Sequence, residues 1–135
     1  MSREATFFSR REAAIANLQA RPADPRIQKV LQAVEAEPSC EAQALAHLVN
    51  LSSSRLSHLF KAATGVSLQS FLSDVRLQKA AELLQSTDMP VKEISYQVGY
   101  RHAPSFVRAF RGKLGASPND YRNRQRNLLS DSEFR

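Results

Sequence analysis

The chain repeats itself once, and this constrains its fold more than any other feature. Leu45-Ala46 recurs as Ile94-Ser95, Val49 as Val98 and Leu51 as Tyr100, each 49 residues further on (45 to 94). Beyond that point the offset is 50 residues (56 to 106). Leu56 recurs as Phe106, Phe60 as Phe110, Lys61 as Arg111, Gly65-Val66-Ser67 as Gly115-Ala116-Ser117, and Phe71 as Tyr121. The second copy therefore carries one extra residue in its turn. Apolar, basic and glycine positions match together, so the two copies are expected to fold as two similar units.

Each copy reads as helix. Strand-like alternation and Asn-Gly or Asp-Gly hairpin signals are missing. Asp24 can cap a first helix with Pro25 at its first position, and Ile27, Val30, Leu31 and Val34 form one apolar face that Pro38 ends. Ser39 or Cys40 opens a short helix with Leu45, Leu48 and Val49. Leu51-Ser-Ser-Ser is a turn with a serine free to cap a third helix, whose Leu56, Leu59 and Phe60 face inward and which Gly65 ends. Ser67 can cap a long fourth helix to about Gln85. The fifth carries Val91, Ile94 and Val98 and stops at Gly99. The sixth has Pro104 in its first turn, then Phe106 and Phe110, and closes at Gly115. Ser117-Pro118 opens a last short helix through Tyr121.

Residues 1–24, with a thin-faced basic helix from Glu4 to Ala20 and breaks at Pro22 and Pro25, read as a linker or appended helix. The expected fold is all-α: two helix-turn-helix subdomains joined by a long linker helix, about seven helices in all. The first subdomain covers residues 25–66, the connecting helix 67–86, the second subdomain 87–126, and a disordered tail 127–135.

Charge points to the partner. The 135 residues carry a net charge of +6, and the basic groups are not spread evenly. Ala42 to Ser73 contains no Asp or Glu but has Arg55, His58 and Lys61. Ile94 to Asn119 also lacks acids and has Arg101, His102, Arg108, Arg111 and Lys113. The acids lie between and outside these windows, among them Glu35, Glu37, Glu41, Asp74, Glu82, Asp88 and Glu93. A surface that meets phosphates excludes carboxylates in this way. Other classes find no support. No apolar run approaches the roughly 18 residues of a membrane span, and the N-terminus lacks a secretory pattern. Cys40 is the only cysteine and reads as a small residue near a helix start; His47, His58 and His102 lack ligand spacing, so no metal is expected. No nucleophile–base pair or phosphate loop marks an enzyme, and no cofactor is implied. Stacking aromatics for RNA are missing. The chain reads as cytoplasmic.

A short helix, a tight turn and a second helix ending in glycine make the helix-turn-helix layout, whose second helix enters the DNA major groove. A helix from Ser67 to Gln85 spans about 28 Å at about 1.5 Å per residue. One turn of DNA is roughly 34 Å, so a helix of this length suits two recognition helices in successive major grooves.

The run VKEISYQVGYRHAPSFVRAFRGKLGASPNDYR resembles the signature of the AraC/XylS family of transcription regulators. Its markers are Ile94, Val98-Gly99-Tyr100, Phe106, Arg108, Phe110-Arg111, Gly115, Ser117-Pro118 and Tyr121-Arg122. The first unit resembles the family at Leu45-Ala46, Ser52, Leu56, Leu59-Phe60-Lys61, Gly65, Arg76-Leu77, Ala80 and Leu83-Leu84. Ser95 departs from the family's usual alanine, Pro104-Ser105 from a common Ser-Tyr pair, and Gly112 from a common basic residue. The resemblance implies a monomeric domain that binds one face of double-stranded DNA through both units. In many family members a sensing and dimerising domain precedes this one, so the chain reads as a fragment of a longer regulator or a small stand-alone member, and many such regulators contact RNA polymerase while on DNA.

The outward residues of the third helix are Ser53, Ser54, Arg55, Ser57, His58 and Lys61. The resemblance assigns Ser54, Ser57 and His58 to base edges, although serines here also suit solvated turn chemistry. Arg55 reaches either a base or a phosphate. In the sixth helix Arg101, His102, Ala103, Ser105, Val107 and Arg108 face outward. Arg108 can grip guanine O6 and N7, or bridge to an acid in the core. Val107 presses on a thymine methyl or is half-buried. Arg111, Lys113, Arg122 and Arg124 read as phosphate contacts or a solvated basic face. For Arg76, beside Asp74, the resemblance suggests a structural ion pair rather than a DNA contact. A helical module that contacts RNA polymerase without reading DNA is the competing function, and the acid-free windows weigh against it.

Overall fold

The computed structural model describes residues 24–133, and side chains through Leu128. Among the described residues every regular element is a helix. They are α1 (Pro25–Ala36), α2 (Ala42–Leu48), α3 (Ser53–Thr64), α4 (Leu68–Ser86), α5 (Val91–Gln97), α6 (Ala103–Leu114) and α7 (Pro118–Glu133). None of these helices is long and apolar enough to cross a membrane. The helix expected between Glu4 and Ala20 lies outside the described residues.

The chain forms two compact units that meet in sequence between Arg76 and Leu77, inside α4. That helix is part of both cores. Leu68, Phe71, Leu72 and Val75 are buried with the first unit's apolar residues, whereas Leu77, Ala80, Ala81 and Leu84 are buried in the second.

In the first unit the Asp24 carboxylate caps α1, accepting the Arg26 backbone N–H at 2.9 Å, and Pro25 occupies the first turn. The Arg26 side chain and then its backbone N–H hold the Asp24 carboxyl below the usual aspartate range. Ile27, Val30 and Val34 are fully buried with Leu45, Leu56 and Phe60. Phe60 packs against Phe71 with ring centroids 5.3 Å apart. One expectation is corrected here. α2 opens at Ala42 rather than at Ser39 or Cys40, and the Ser39 hydroxyl bonds the Glu37 carboxylate instead of capping. This helix buries Leu45 and Ala46, and leaves Leu48 45% exposed.

The turn after α2 needs a left-handed residue. Asn50 supplies it at φ 58° and Gly99 supplies it at the matching place after α5, at φ 106°. Each turn closes on the same bond, Leu51 N–H to the Ala46 carbonyl at 3.0 Å and Tyr100 N–H to the Ser95 carbonyl at 2.9 Å.

In the second unit an aromatic chain runs through the core. Tyr100 meets Phe106 at 5.4 Å between centroids, Phe106 meets Phe110 at 5.7 Å, and Phe110 meets Tyr121 edge-on at 5.4 Å. The Tyr121 hydroxyl accepts from Gln85 Nε2 at 2.7 Å. Ser95 is fully buried, and its hydroxyl donates to the Lys92 carbonyl at 2.6 Å, which is how a serine is tolerated there. The last helix is longer than expected: α7 continues to Glu133, because no glycine or proline interrupts NDYRNRQRNLLSDSE, and residues 134–135 of the expected tail lie outside the described residues.

Candidate nucleic-acid interface

α3 is built to present a polar face. The Ser52 hydroxyl accepts the Arg55 N–H at 3.2 Å and caps the helix, which leaves Ser53 and Ser54 in its first turn free of that task. Leu56, Phe60 and Thr64 are buried. Thr64 fastens the far end, its hydroxyl donating to the Phe60 carbonyl at 2.8 Å. Gly65 closes the helix with its N–H on the Lys61 carbonyl at 2.8 Å. This packing turns Ser53, Ser54, Arg55, Ser57, His58 and Lys61 outward together, and all six are exposed. His58 stands on a ridge between two grooves. One is lined further by Arg26, Leu51, Arg55, Leu59 and Ala62. The other is lined by Ser57, Lys61, Ser67, Leu68 and Gln69.

α6 repeats the plan with less uniformity. Phe106 and Phe110 are buried, and Arg101, His102, Ser105, Arg108 and Arg111 are exposed. Ala103, Val107 and Lys113 are only half-buried, so they sit at the margin of the face. Arg101 and Lys113 are each engaged in an interaction within the chain. Arg108 projects outward, with no carboxylate partner among the described residues, which favours the outward reading over a bridge to a core acid. Pro104 is exposed on this face too, a placement that helical periodicity indicated and the residue type obscured. Gly112 lies exposed on the same side, and a Cβ there would meet nothing within 4 Å.

Two arginines lie outside the interface. Arg76 donates Nε–H to the Pro38 carbonyl at 3.0 Å and Nη2–H to the Cys40 carbonyl at 2.6 Å. Its role is structural, with backbone carbonyls as partners. Arg122, expected on phosphate or a solvated face, does the same in the second unit. It donates to the carbonyls of Leu84 (3.1 Å), Thr87 (3.3 Å) and Met89 (2.6 Å). Pro38 and Cys40 correspond to Thr87 and Met89 at the 49-residue offset (38 to 87), so both units fasten the same turn. Arg126 adds a long bond to Thr87 O and an ion pair with Asp88. Arg124 remains exposed. No group of three or more metal-ligating side chains is found among the described residues.

A family model for a helix-turn-helix domain matches residues 45–124. The chain belongs to the AraC/XylS family of DNA-binding domains. The arabinose operon regulatory protein of Escherichia coli K12 is 36% identical over 104 residues, covering 75% of this chain and 36% of that protein. The chain thus spans about a third of the length of the curated relatives it matches. Among solved structures, the C-terminal domain of AraT, a response regulator from Geobacillus stearothermophilus, is 33% identical with a TM-score of 0.69, over 76% of this chain and 88% of that one. The DNA-binding domain of AdpA, solved with a target DNA, is 28% identical with a TM-score of 0.69, over 78% of this chain and 96% of that one. The departures from the AraC/XylS pattern at Ser95, Pro104 and Gly112 are accommodated, since one is buried and bonded and two are exposed.

Proposed function

We propose that this AraC-type domain is the DNA-reading part of a longer transcription regulator, with α3 and α6 as its recognition helices in successive major grooves. The observation that carries this is the matched division of both helices. Leu56 and Phe60 of α3, and Phe106 and Phe110 of α6, are buried, while an acid-free set of hydroxyl, imidazole and guanidinium groups faces out. In this reading Ser54, Ser57, His58 and Arg108 read base edges, with Ser53 and Ser105 beside them. Arg55, Lys61, Arg101, His102, Arg111 and Lys113 hold phosphates, and Ala103 and Val107 line the margin against the groove wall. The domain binds as a monomer in the cytoplasm and acts by binding rather than catalysis. As part of an activator it also contacts RNA polymerase; Leu48 (45% exposed) and Tyr96 (50% exposed) are apolar side chains open to a protein partner.

The test is selection of bound duplexes from a random pool, footprinting of the winner, and titration across salt. A site with contacts in two successive major grooves is expected. Affinity should fall by about 0.9 log unit per phosphate contact per decade of salt. No enriched sequence, or a response indifferent to salt, would sink the proposal.

A further inference from the structure

One flank of α3 carries a cation from outside the recognition helix. The groove there is open, about 450 Å³, and lies wholly within the first unit. Leu51, Leu59 and Ala62 line it, together with Arg26, Arg55 and His58. Arg55 and His58 belong to α3, but Arg26 comes from the first turn of α1. Asp24 holds Arg26 by two edges: Nε donates to Oδ1 at 3.1 Å and Nη2 donates to Oδ2 at 2.8 Å. A guanidinium has five N–H donors in a fixed fork. Asp24 occupies two of them, and the rest remain for a second oxyanion.

The place matters because of what borders it. A helix with its side chains is about 10–12 Å across and the major groove is about 12 Å wide. When α3 fills the groove, its flanks meet the sugar-phosphate backbones on either side. The flank toward α1 offers Arg55 and Arg26 to one of those backbones. It also brings Asp24, a carboxylate whose repulsion for phosphate opposes the attraction of the arginine it orients.

We propose that Arg26 is a DNA phosphate contact, shared between a backbone phosphate and Asp24, and that Asp24 limits the strength of that contact. This rests on reading α3 as a recognition helix. Asp24 is then both the cap of α1 and a brake on non-specific affinity.

The experiment uses the full chain and its selected duplex, titrated from about 50 to 200 mM salt. Arg26→Ala should bind all sequences more weakly alike, with the salt slope shallower by about 0.9. Asp24→Asn keeps an oxygen acceptor for the cap but removes the charge, and should bind several-fold more tightly. A methylphosphonate scan identifies the partner: neutralising one phosphate should weaken the wild type and leave Arg26→Ala unchanged. Circular dichroism melts verify that both variants fold. Wild-type affinity and slope in Arg26→Ala would overturn the inference while leaving the DNA-binding reading intact. So would a groove that responds only to inorganic phosphate while duplex binding ignores both substitutions. A wild type that binds no duplex overturns both.

Discussion

Replacing Arg122 with alanine separates a structural arginine from a DNA contact. Its guanidinium ties the Leu84 carbonyl near the end of α4 and two carbonyls of the α4–α5 connection, with bonds of 3.1 and 2.6 Å and one longer at 3.3 Å. Bonds to a charged donor contribute about 1.5–3 kcal/mol each. Arg122 is half-buried, so water replaces part of what is lost, and Arg126 retains a long bond to one of the same carbonyls. The net loss should therefore be about 2–3 kcal/mol rather than the sum, a fall in melting temperature of roughly 10 °C or more for a domain of this size. Urea unfolding measures it directly. Arg122→Lys should recover little of the loss, because an ammonium is a point charge and cannot span three carbonyls. The salt slope of DNA binding should be unaltered in either variant. A stability change below about 0.5 kcal/mol, with the slope shallower by about 0.9, would show that Arg122 meets phosphate and would refute the structural assignment.

Arg108→Ala should keep its fold and lose about 1–3 kcal/mol at one base position, read from competition among single-substituted duplexes; an even loss across all sequences would remove it from base reading. Arg111→Ala should weaken every duplex alike and lower the salt slope by about one, and Lys113→Ala, half-buried and already engaged, should change the slope less. Equal slopes for the two variants would contradict that ordering. Gly112→Ala places a methyl in open space within α6 and should stabilise the domain by about 0.8–1 kcal/mol in a thermal melt. A lower melting temperature would mean that the space is not open.

Much of this protein was decided locally. The repeat, the helical periodicity and the caps at Asp24, Ser52, Gly65 and Gly115 depend on neighbours within one or two turns, so the all-helical double unit was legible in the chain. So was the outward set on α3, because burying Leu56 and Phe60 leaves its other residues no choice of side. Tertiary structure decided what periodicity cannot reach. It withdrew Arg122 to backbone carbonyls more than 30 positions away in the chain, and gave Arg76 carbonyls where a neighbouring carboxylate had been expected. It brought Arg26 of α1 to the flank of α3. A long, flexible cation finds partners anywhere within its reach, and charge or spacing in sequence cannot say which oxygen will be there. The length of α7 was missed because a polar segment without a buried stripe gives no periodic signal, although nothing in it breaks a helix. Apolar faces are dictated by the sequence that forms them, whereas the destinations of arginines are set only when distant helices pack.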